Sequence, residues 1–209
     1  MMRVRRVLGL PVHYLVMKRL LDVVLSGAAL LVLSPLLLLV ALLVRLDSPG
    51  PALYGSWRTG TGGRRFRMVK FRTMVPNADE VKEQYRHLSV LPWPDFKVIP
   101  DPRVTRVGRL LRKTSIDEIP QLWNVVKGDM SLVGPRPCTV AAENTKVWHN
   151  CRLDVRPGLT GPWQIYGRNT ANFDERSRLD ARYIRSMSLR TDLRLMVLTI
   201  PALLTQGGV

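Results

Sequence analysis

The chain has 209 residues and carries 32 Lys and Arg against 16 Asp and Glu, a formal net charge of +16. With 46% hydrophobic and 23% charged residues it is too apolar for wholesale disorder, and a mean hydropathy of +0.00 excludes a polytopic membrane protein. Cys138 and Cys151 have no C-x-x-C spacing, which rules out a disulfide framework and a cysteine-rich zinc site, while a pI near 11 calls for nucleic acid, a phosphate-rich substrate or an acidic membrane surface.

A basic start (Arg3, Arg5, Arg6, Lys18, Arg19) leads into Val23–Val44, 22 residues without a charge, bounded by Asp22 and Arg45. As a straight helix this run reaches about 33 Å, enough for a bilayer core. It is too long and too late for a signal-peptide core, and no small-residue cleavage site follows. The competing reading is a buried core helix, but a chain of this size has little core to surround one. Ser34-Pro35 interrupts the middle of the run. Pro35 lacks an N–H and its ring clashes with the Leu31 carbonyl, which predicts a kink, with the Ser34 hydroxyl at hand for the freed oxygen. Residues 1–22 hold five basic side chains and one acidic, and residues 45–72 hold seven basic and only Asp47 acidic. A spanning helix prefers one basic flank. Two basic flanks favour a re-entrant helix, with both ends on the cytoplasmic side, over a kinked span. The chain then divides into a basic N-terminus with its membrane helix, residues 1–47, and a cytoplasmic domain, residues 48–209.

Pro49-Gly50-Pro51 ends the membrane element. Strands are predicted at Ala52–Trp57 and Arg64–Arg72, joined by a glycine-rich turn at 59–63. Pro76, with Asp79 and Glu80 behind it, predicts a helix to about Leu91. Four prolines make 92–102 a loop. Helices are expected at 104–113, 115–127 and 139–150, then a Gly/Pro-rich connection at 156–167. A helical pattern covers 174–205, interrupted at Ser186–Ser188 and Pro201, and its part around Leu193–Ile200 suits an interfacial helix as well as ordinary core packing. Trp93 and Trp163 are candidate interface anchors or core residues. The expected fold is α+β, mostly helical, with a small β-hairpin and the Ser-Pro-broken membrane helix of a monotopic protein.

Familiar phosphate and hydrolase signatures are missing. The sequence has no G-x-x-x-x-G-K-[ST], no G-x-G-x-x-G and no G-x-S-x-G, and His13, His87 and His149 are scattered. Phosphate chemistry here rests on carboxylates, arginines and a divalent metal. The richest stretch is Asp101–Pro137. Arg103, Arg106, Arg109 and Arg112, spaced by threes and followed by Lys113, are expected to cover one helix face. Ser115-Ile116-Asp117-Glu118 fits the S-x-x-E capping box, so Glu118 could simply cap and Asp117 complement a helix dipole. A second reading places a phosphate and a divalent cation between these paired carboxylates and the preceding cations. Pro135 and Pro137 fix the backbone around Arg136, which suits a guanidinium for bidentate phosphate contact, although Pro-Arg-Pro also makes a rigid surface turn.

These segments, with KRLLD and the later Ser34-Pro35, KFRTM at 70–74, GDMSLVGPRP at 128–137 and RPGLTGPWQIYGR at 156–168, resemble the bacterial sugar transferases. These are monotopic phosphoglycosyl transferases that move a sugar 1-phosphate from a nucleotide diphosphate sugar, by family habit a UDP-sugar, to polyprenyl phosphate. The resemblance runs from Lys18 to about Thr199. It implies that Asp117 attacks the diphosphate and carries the phosphosugar, that Glu118 is its dyad partner, and that the pair holds magnesium. It also implies phosphate-binding roles for Arg112, Arg136 and Lys70, and for Arg58, which follows Trp57 where a polar residue is usual. Ser34-Pro35 matches the family's break in a re-entrant helix, and the expected location is the cytoplasmic face of a bacterial inner membrane. Larger relatives carry additional membrane helices, so a minimal form is expected. Pro162-Trp163-Gln164 is closer to hexose-transferring relatives than to acetamido-sugar ones.

The chemistry is coherent with the composition. A carboxylate attacks a diphosphate only when phosphate charge is screened and the groups are held in line, which cations and positioning supply. The alternative from another class is a membrane-tethered basic protein that binds nucleic acid or anionic lipid without catalysis. Aromatics at 7% and the lack of a reader motif argue against nucleic acid.

Overall fold

Residues 12–47 form one helix, α1 (Val12–Asp47), of 36 residues, about 54 Å long at 1.5 Å per residue. This computed structural model describes residues 9–90, 96, 98–139, 147–166 and 172–205. Along α1, Tyr14, Asp22 and Ser26, then Val40 and Val44, are buried, with Lys18 between the first two largely covered. Steps of four, with one of fourteen between Ser26 and Val40, keep these residues on one broad face, and it faces the rest of the protein. The other faces are apolar and bare: Leu31, Val32, Leu38 and Leu46 are each about three-quarters exposed. The helix continues through Pro35, and Ser34 Oγ donates to Leu31 O at 2.7 Å, as expected for a carbonyl orphaned by the ring.

Two strands follow, β1 (Leu53–Thr59) and β2 (Arg65–Phe71), antiparallel, with Leu53 opposite Phe71 and Thr59 opposite Arg65. Gly62 and Gly63 turn the chain at φ 68° and 80°, a conformation only glycine adopts without strain. The hairpin lies within two residues of its expected place. The helix expected from Pro76 to Leu91 does not form. Turns and a single 3-10 segment, Glu83–Leu88, stand there: of the apolar positions at helical spacing, Ala78, Val81, Tyr85 and Leu88, only Ala78 is buried, too little packing to hold a helix.

The arginine-rich stretch begins with α2 (Arg106–Thr114), capped by Thr105, whose side chain accepts from Gly108 N. Beyond it the expected helix 115–127 is broken. Ser115 takes the left-handed conformation (φ 57°) that closes α2, Ile116–Glu118 is a single 3-10 turn, and α3 (Gln121–Lys127) starts only after Pro120. Next come β3 (Ser131–Val133) and, across a long connection, β4 (Gly158–Thr160), a parallel pair absent from the sequence expectation. Each strand has three residues, too few for an alternating pattern to register. The expected helix 139–150 falls partly outside the described residues, and Val147–Asp154 is a 3-10 helix. Trp93 also lies outside the described residues.

The last elements are α4 (Pro162–Tyr166), α5 (Phe173–Arg185) and α6 (Leu189–Thr205). Asn172 and Glu175 form a reciprocal capping box at the start of α5. The break at 186–188 is where the sequence placed it, whereas Pro201 is carried inside α6. Leu195 and Ala202 of α6 are buried while Leu193, Val197 and Ile200 are exposed, so one face packs on the core and the other stays bare.

Both ends of α1 dock on this domain. Near its start Arg19 donates to the Val125 and Val126 carbonyls at the C-terminus of α3, 2.7 Å each, where a cation complements the helix end. Lys18 Nζ reaches Val133 O at 3.0 Å and Asp192 Oδ2 at 2.8 Å. Asp22 accepts from Ser131 Oγ and Leu132 N at 3.0 and 2.9 Å. At the far end Val40 and Val44 pack with Phe71 and Leu111, Asp47 accepts from Val107 N at 3.0 Å, and the Arg72 guanidinium gathers the carbonyls of Val44, Ser48, Pro49 and Gly50.

Candidate active site

The 3-10 turn Ile116–Glu118 presents the two adjacent carboxylates. Asp117 is only 7% exposed, and its carboxylate accepts no hydrogen bond from a described residue. Burial, then the neighbouring Glu118 charge, push it up to about 6, against the pull of Lys70, Arg112 and Arg136. Glu118 turns the other way. Its two oxygens take both terminal nitrogens of Arg136, one at 3.0 Å and the second closer, a bidentate pair. The capping reading is therefore corrected: Ser115 caps no helix with its side chain, and the Glu118 carboxylate is committed to Arg136. Because no α-helix starts at Ser115, a helix dipole gives Asp117 nothing here, and the positive field comes from side chains.

Those side chains arrive from four directions. Lys70 and Arg58 share one face of the hairpin, since Lys70 pairs with Tyr54 and Arg58 with Phe66 across the register. Burial and then Arg112 lower Lys70, whose ammonium lies 5.7 Å from the centre of the Tyr54 ring. Burial and then Arg136 bring Arg58 down to about 10, and its Nε has no hydrogen-bond partner among the described residues. Arg112 leaves the end of α2 and is aimed by Thr73, to whose Oγ1 it donates at 2.9 Å. Arg136 leaves the β3 end, between Pro135 and Pro137. Although burial opposes it, the Glu118 charge and hydrogen bonds raise Arg136 above the ordinary arginine value.

The segment carrying Arg136 is fixed by a close backbone approach. A Cβ on Gly158 would meet Gly134 N at 2.1 Å, and with glycine there Gly158 N donates to Pro135 O at 2.8 Å. Arg152, in ion-pair contact with the fully buried Asp180 at 2.8 Å, donates to Arg136 O at 2.9 Å. Lys70, Arg112, Asp117, Glu118 and Arg136 are thus brought together, with Arg58 beside Arg136. Thr73, Arg152 and Gly158 are supports the sequence did not single out; each acts across a distance in sequence that no local motif spans.

One expectation about the arginines is corrected. Arg103 precedes α2 instead of lying on it, almost wholly buried and clamped by Asp101, and Arg106 and Arg109 are exposed. Of the four, only Arg112 is charge-coupled to Asp117.

Two cavities meet at Arg136 and Trp163. One, of about 340 Å³, is lined by Arg58, Lys82, Arg136, Arg152 and Arg176 with Trp163. The other, of about 360 Å³, is walled by Leu33 of α1, Ile119, Leu122, Leu159 and Met196, with Glu118 and Arg136 at its polar end. Trp163 borders both and carries Arg176 over its ring at 5.1 Å. It is half-buried and serves as a wall of both cavities.

Among known proteins, the sequence model of the bacterial sugar transferase family matches residues 13–206. The exopolysaccharide production protein ExoY of Rhizobium meliloti is 41% identical over 198 residues, covering 91% of this chain and 87% of that protein. The undecaprenyl-phosphate galactose phosphotransferase of Salmonella typhimurium is 42% identical over 198 residues, covering 92% of this chain and 41% of its own length. The UDP-glucose:undecaprenyl-phosphate glucose-1-phosphate transferase of Caulobacter vibrioides is 42% identical over 202 residues, covering 90% of this chain and 70% of that protein.

Proposed function

Since the chain belongs to the bacterial sugar transferase family, we propose that it moves a sugar 1-phosphate from a UDP-sugar to polyprenyl phosphate at a membrane, as an early step of exopolysaccharide or related glycan assembly. The observation that carries this reading is Asp117: a buried carboxylate, free of hydrogen bonds to described residues, facing Lys70, Arg112 and Arg136. A structural carboxylate in such a place would be bonded. A nucleophile must keep its oxygens available.

In the first half-reaction an Asp117 oxygen attacks the sugar-bearing phosphorus. The bond from that phosphorus to the bridging oxygen breaks, uridine monophosphate leaves with the electron pair, and a phosphosugar remains on the aspartyl oxygen. In the second, a phosphate oxygen of the lipid attacks the same phosphorus and the Asp117 carboxylate is released. Arg136 and Arg112 bind the phosphate oxygens, Lys70 screens charge developing beside Asp117, and Glu118 holds the Arg136 fork in place. The basic cavity suits the nucleotide donor, and the apolar one, reaching from Glu118 and Arg136 to Leu33 of α1, suits an isoprenoid chain.

Adjacent carboxylates with no third His, Cys, Asp or Glu grouped beside them among the described residues fit a magnesium ion, which is commonly held by one or two carboxylates and substrate phosphates. Asp117 and Glu118 would hold it, Glu118 only by giving up part of its bidentate grip on Arg136. Bound there, it would screen the diphosphate charge.

The membrane part of the reading is a re-entrant α1, with residues 1–47 entering one leaflet from the cytoplasmic face of a bacterial inner membrane and residues 48–209 forming the catalytic domain. A straight span would carry its ends to opposite sides of the bilayer, whereas here both ends dock on one domain while its middle bares Leu31, Val32 and Leu38. Labelling of Gly9→Cys in intact cells from the periplasmic side would rule this topology out.

The reaction itself is tested by trapping. Donor without lipid should leave a phosphosugar mass on the peptide containing Asp117 and none in Asp117→Asn. Rapid quenching without an adduct, with transfer requiring both substrates together, overturns the covalent route. A panel of UDP-sugars assayed by uridine monophosphate release identifies the donor.

A further inference from the structure

A third cavity, of about 280 Å³, shares no lining residue with the two that meet at Arg136 and Trp163. It lies between the first half of α1, the hairpin turn, the Gly128–Ser131 turn and the segment before β4, and Lys18, Asp22, Arg64, Asp129 and Arg156 line it. Two of these charges are spent within the fold: Lys18 on Asp192 at 2.8 Å, and Asp129 on Lys127 at 2.9 Å. The other three keep unmet capacity among the described residues. Asp22 is 3% exposed, and while its Oδ1 takes Ser131 and Leu132, its Oδ2 has no partner. Arg156 is half-buried with only Arg19 and Asp22 as charged neighbours, and it makes no hydrogen bond or ion pair among the described residues. Arg64 stands exposed at the rim. Leu15 and Phe66 supply an apolar wall.

Two guanidinium groups and one buried carboxylate oxygen, none with a hydrogen-bond partner among the described residues, define a complementary ligand. It carries a tetrahedral anion for the arginines and a hydroxyl or ammonium for Asp22. We propose that this cavity binds a phosphate ester bearing a hydroxyl or amine group, at a site separate from the Asp117 centre. The same chemistry is offered by a phospholipid headgroup, which the position beside α1 would admit, and by a small water-soluble phosphate ester. The site borders β3, which begins at Ser131 and leads to Arg136, so its occupant abuts the strand that delivers Arg136.

The test uses the full chain in detergent, titrated by calorimetry with inorganic phosphate, phosphoethanolamine and short-chain phosphatidylethanolamine. Phosphoethanolamine or the lipid should bind, and Arg64→Gln and Arg156→Gln should each weaken binding about tenfold, the value of one lost charge-assisted bond. Arg64 is exposed, so its variant keeps the test clear of folding defects. Asp22→Asn retains acceptors for Ser131 and Leu132, and should weaken phosphoethanolamine more than inorganic phosphate. Binding of the lipid alone assigns a membrane source, and equal binding of the soluble ester assigns a free one. Failure of both phosphoethanolamine and the lipid to bind, or affinity unchanged by both arginine substitutions, overturns the proposal. Trapping at Asp117 is independent of either result.

Discussion

Two clusters of buried charge flank β3, and they are built on opposite terms. Around Asp192 each charge is answered: Lys18 at 2.8 Å, and the hydroxyls of Tyr14 and Tyr183 at 2.9 and 2.6 Å. Burial and the Asp192 charge push Tyr183 well above its ordinary range, which keeps it a donor. Around Asp117 the accounts differ: three cations act on it through space, none of the described groups hydrogen-bonds it, and Arg58 Nε is unpartnered among them. An unsatisfied buried polar group costs stability. A fold tolerates it where something from outside completes the arrangement. The first cluster locks α1 to the domain; the second is complete only with a phosphate-bearing substrate.

The sharpest way to break this contrast is Asp117→Asn. Uridine monophosphate release should fall by about 10⁴-fold, a loss of the size seen when a nucleophile is removed, while the folded protein persists. If Asp117→Asn unfolded the protein instead, the two clusters would be alike.

The lock should behave in reverse. Lys18→Met leaves Asp192 buried without its cation, which costs about 3–5 kcal/mol. Urea denaturation in detergent should show a lower midpoint, and the protein that remains folded should still form the Asp117 adduct. A denaturation midpoint equal to that of the unsubstituted chain would make the Lys18–Asp192 contact incidental.

Arg136→Lys separates charge from shape. Lysine keeps the cation and loses the planar fork that meets Glu118 with two nitrogens, so kcat/KM should drop about tenfold, or about 1.4 kcal/mol. Full activity would mean that only charge matters at this position.

How far these clusters were legible in the sequence follows from what holds them. Asp117, Glu118 and Arg136 stand in short, residue-specific motifs, and the hairpin bearing Lys70 and Arg58 announces itself by glycines at 60, 62 and 63. Ser34 was legible because its bond to Leu31 is local. The capping box misled because Ser115 closes one helix with a left-handed residue and Pro120 delays the next, a contest of local signals that spacing alone does not decide. The partnership of Lys18 with Asp192 spans 174 residues, and Arg112 with Thr73 spans 39. Such pairs, and the three-residue strands β3 and β4, exist only once tertiary packing brings them together.

The pH dependence is the most diagnostic of why Asp117 is poised. With its pKa near 6 in the metal-free protein, the acid limb of kcat/KM for uridine monophosphate release should be half-maximal near pH 6 at limiting magnesium, falling about tenfold per unit below it as the nucleophile protonates, and should move to lower pH as magnesium is raised. The stability consequence has the opposite sign. A carboxyl raised from its unfolded value near 3.8 favours the fold most when protonated, and that contribution is lost as pH rises through 6. Asp117→Asn, permanently neutral, should therefore be more stable than the unsubstituted chain at pH 7.5, by about 1–3 kcal/mol, with the gap closing toward pH 4. Glu118→Gln removes the neighbouring negative charge that raises Asp117 and leaves the Arg136 cation uncompensated beside it. Both changes favour ionised Asp117, so the acid limb should move to lower pH even as the lost grip on Arg136 reduces the maximal rate. An acid limb that stays in place in Glu118→Gln would show that burial alone sets the titration of Asp117.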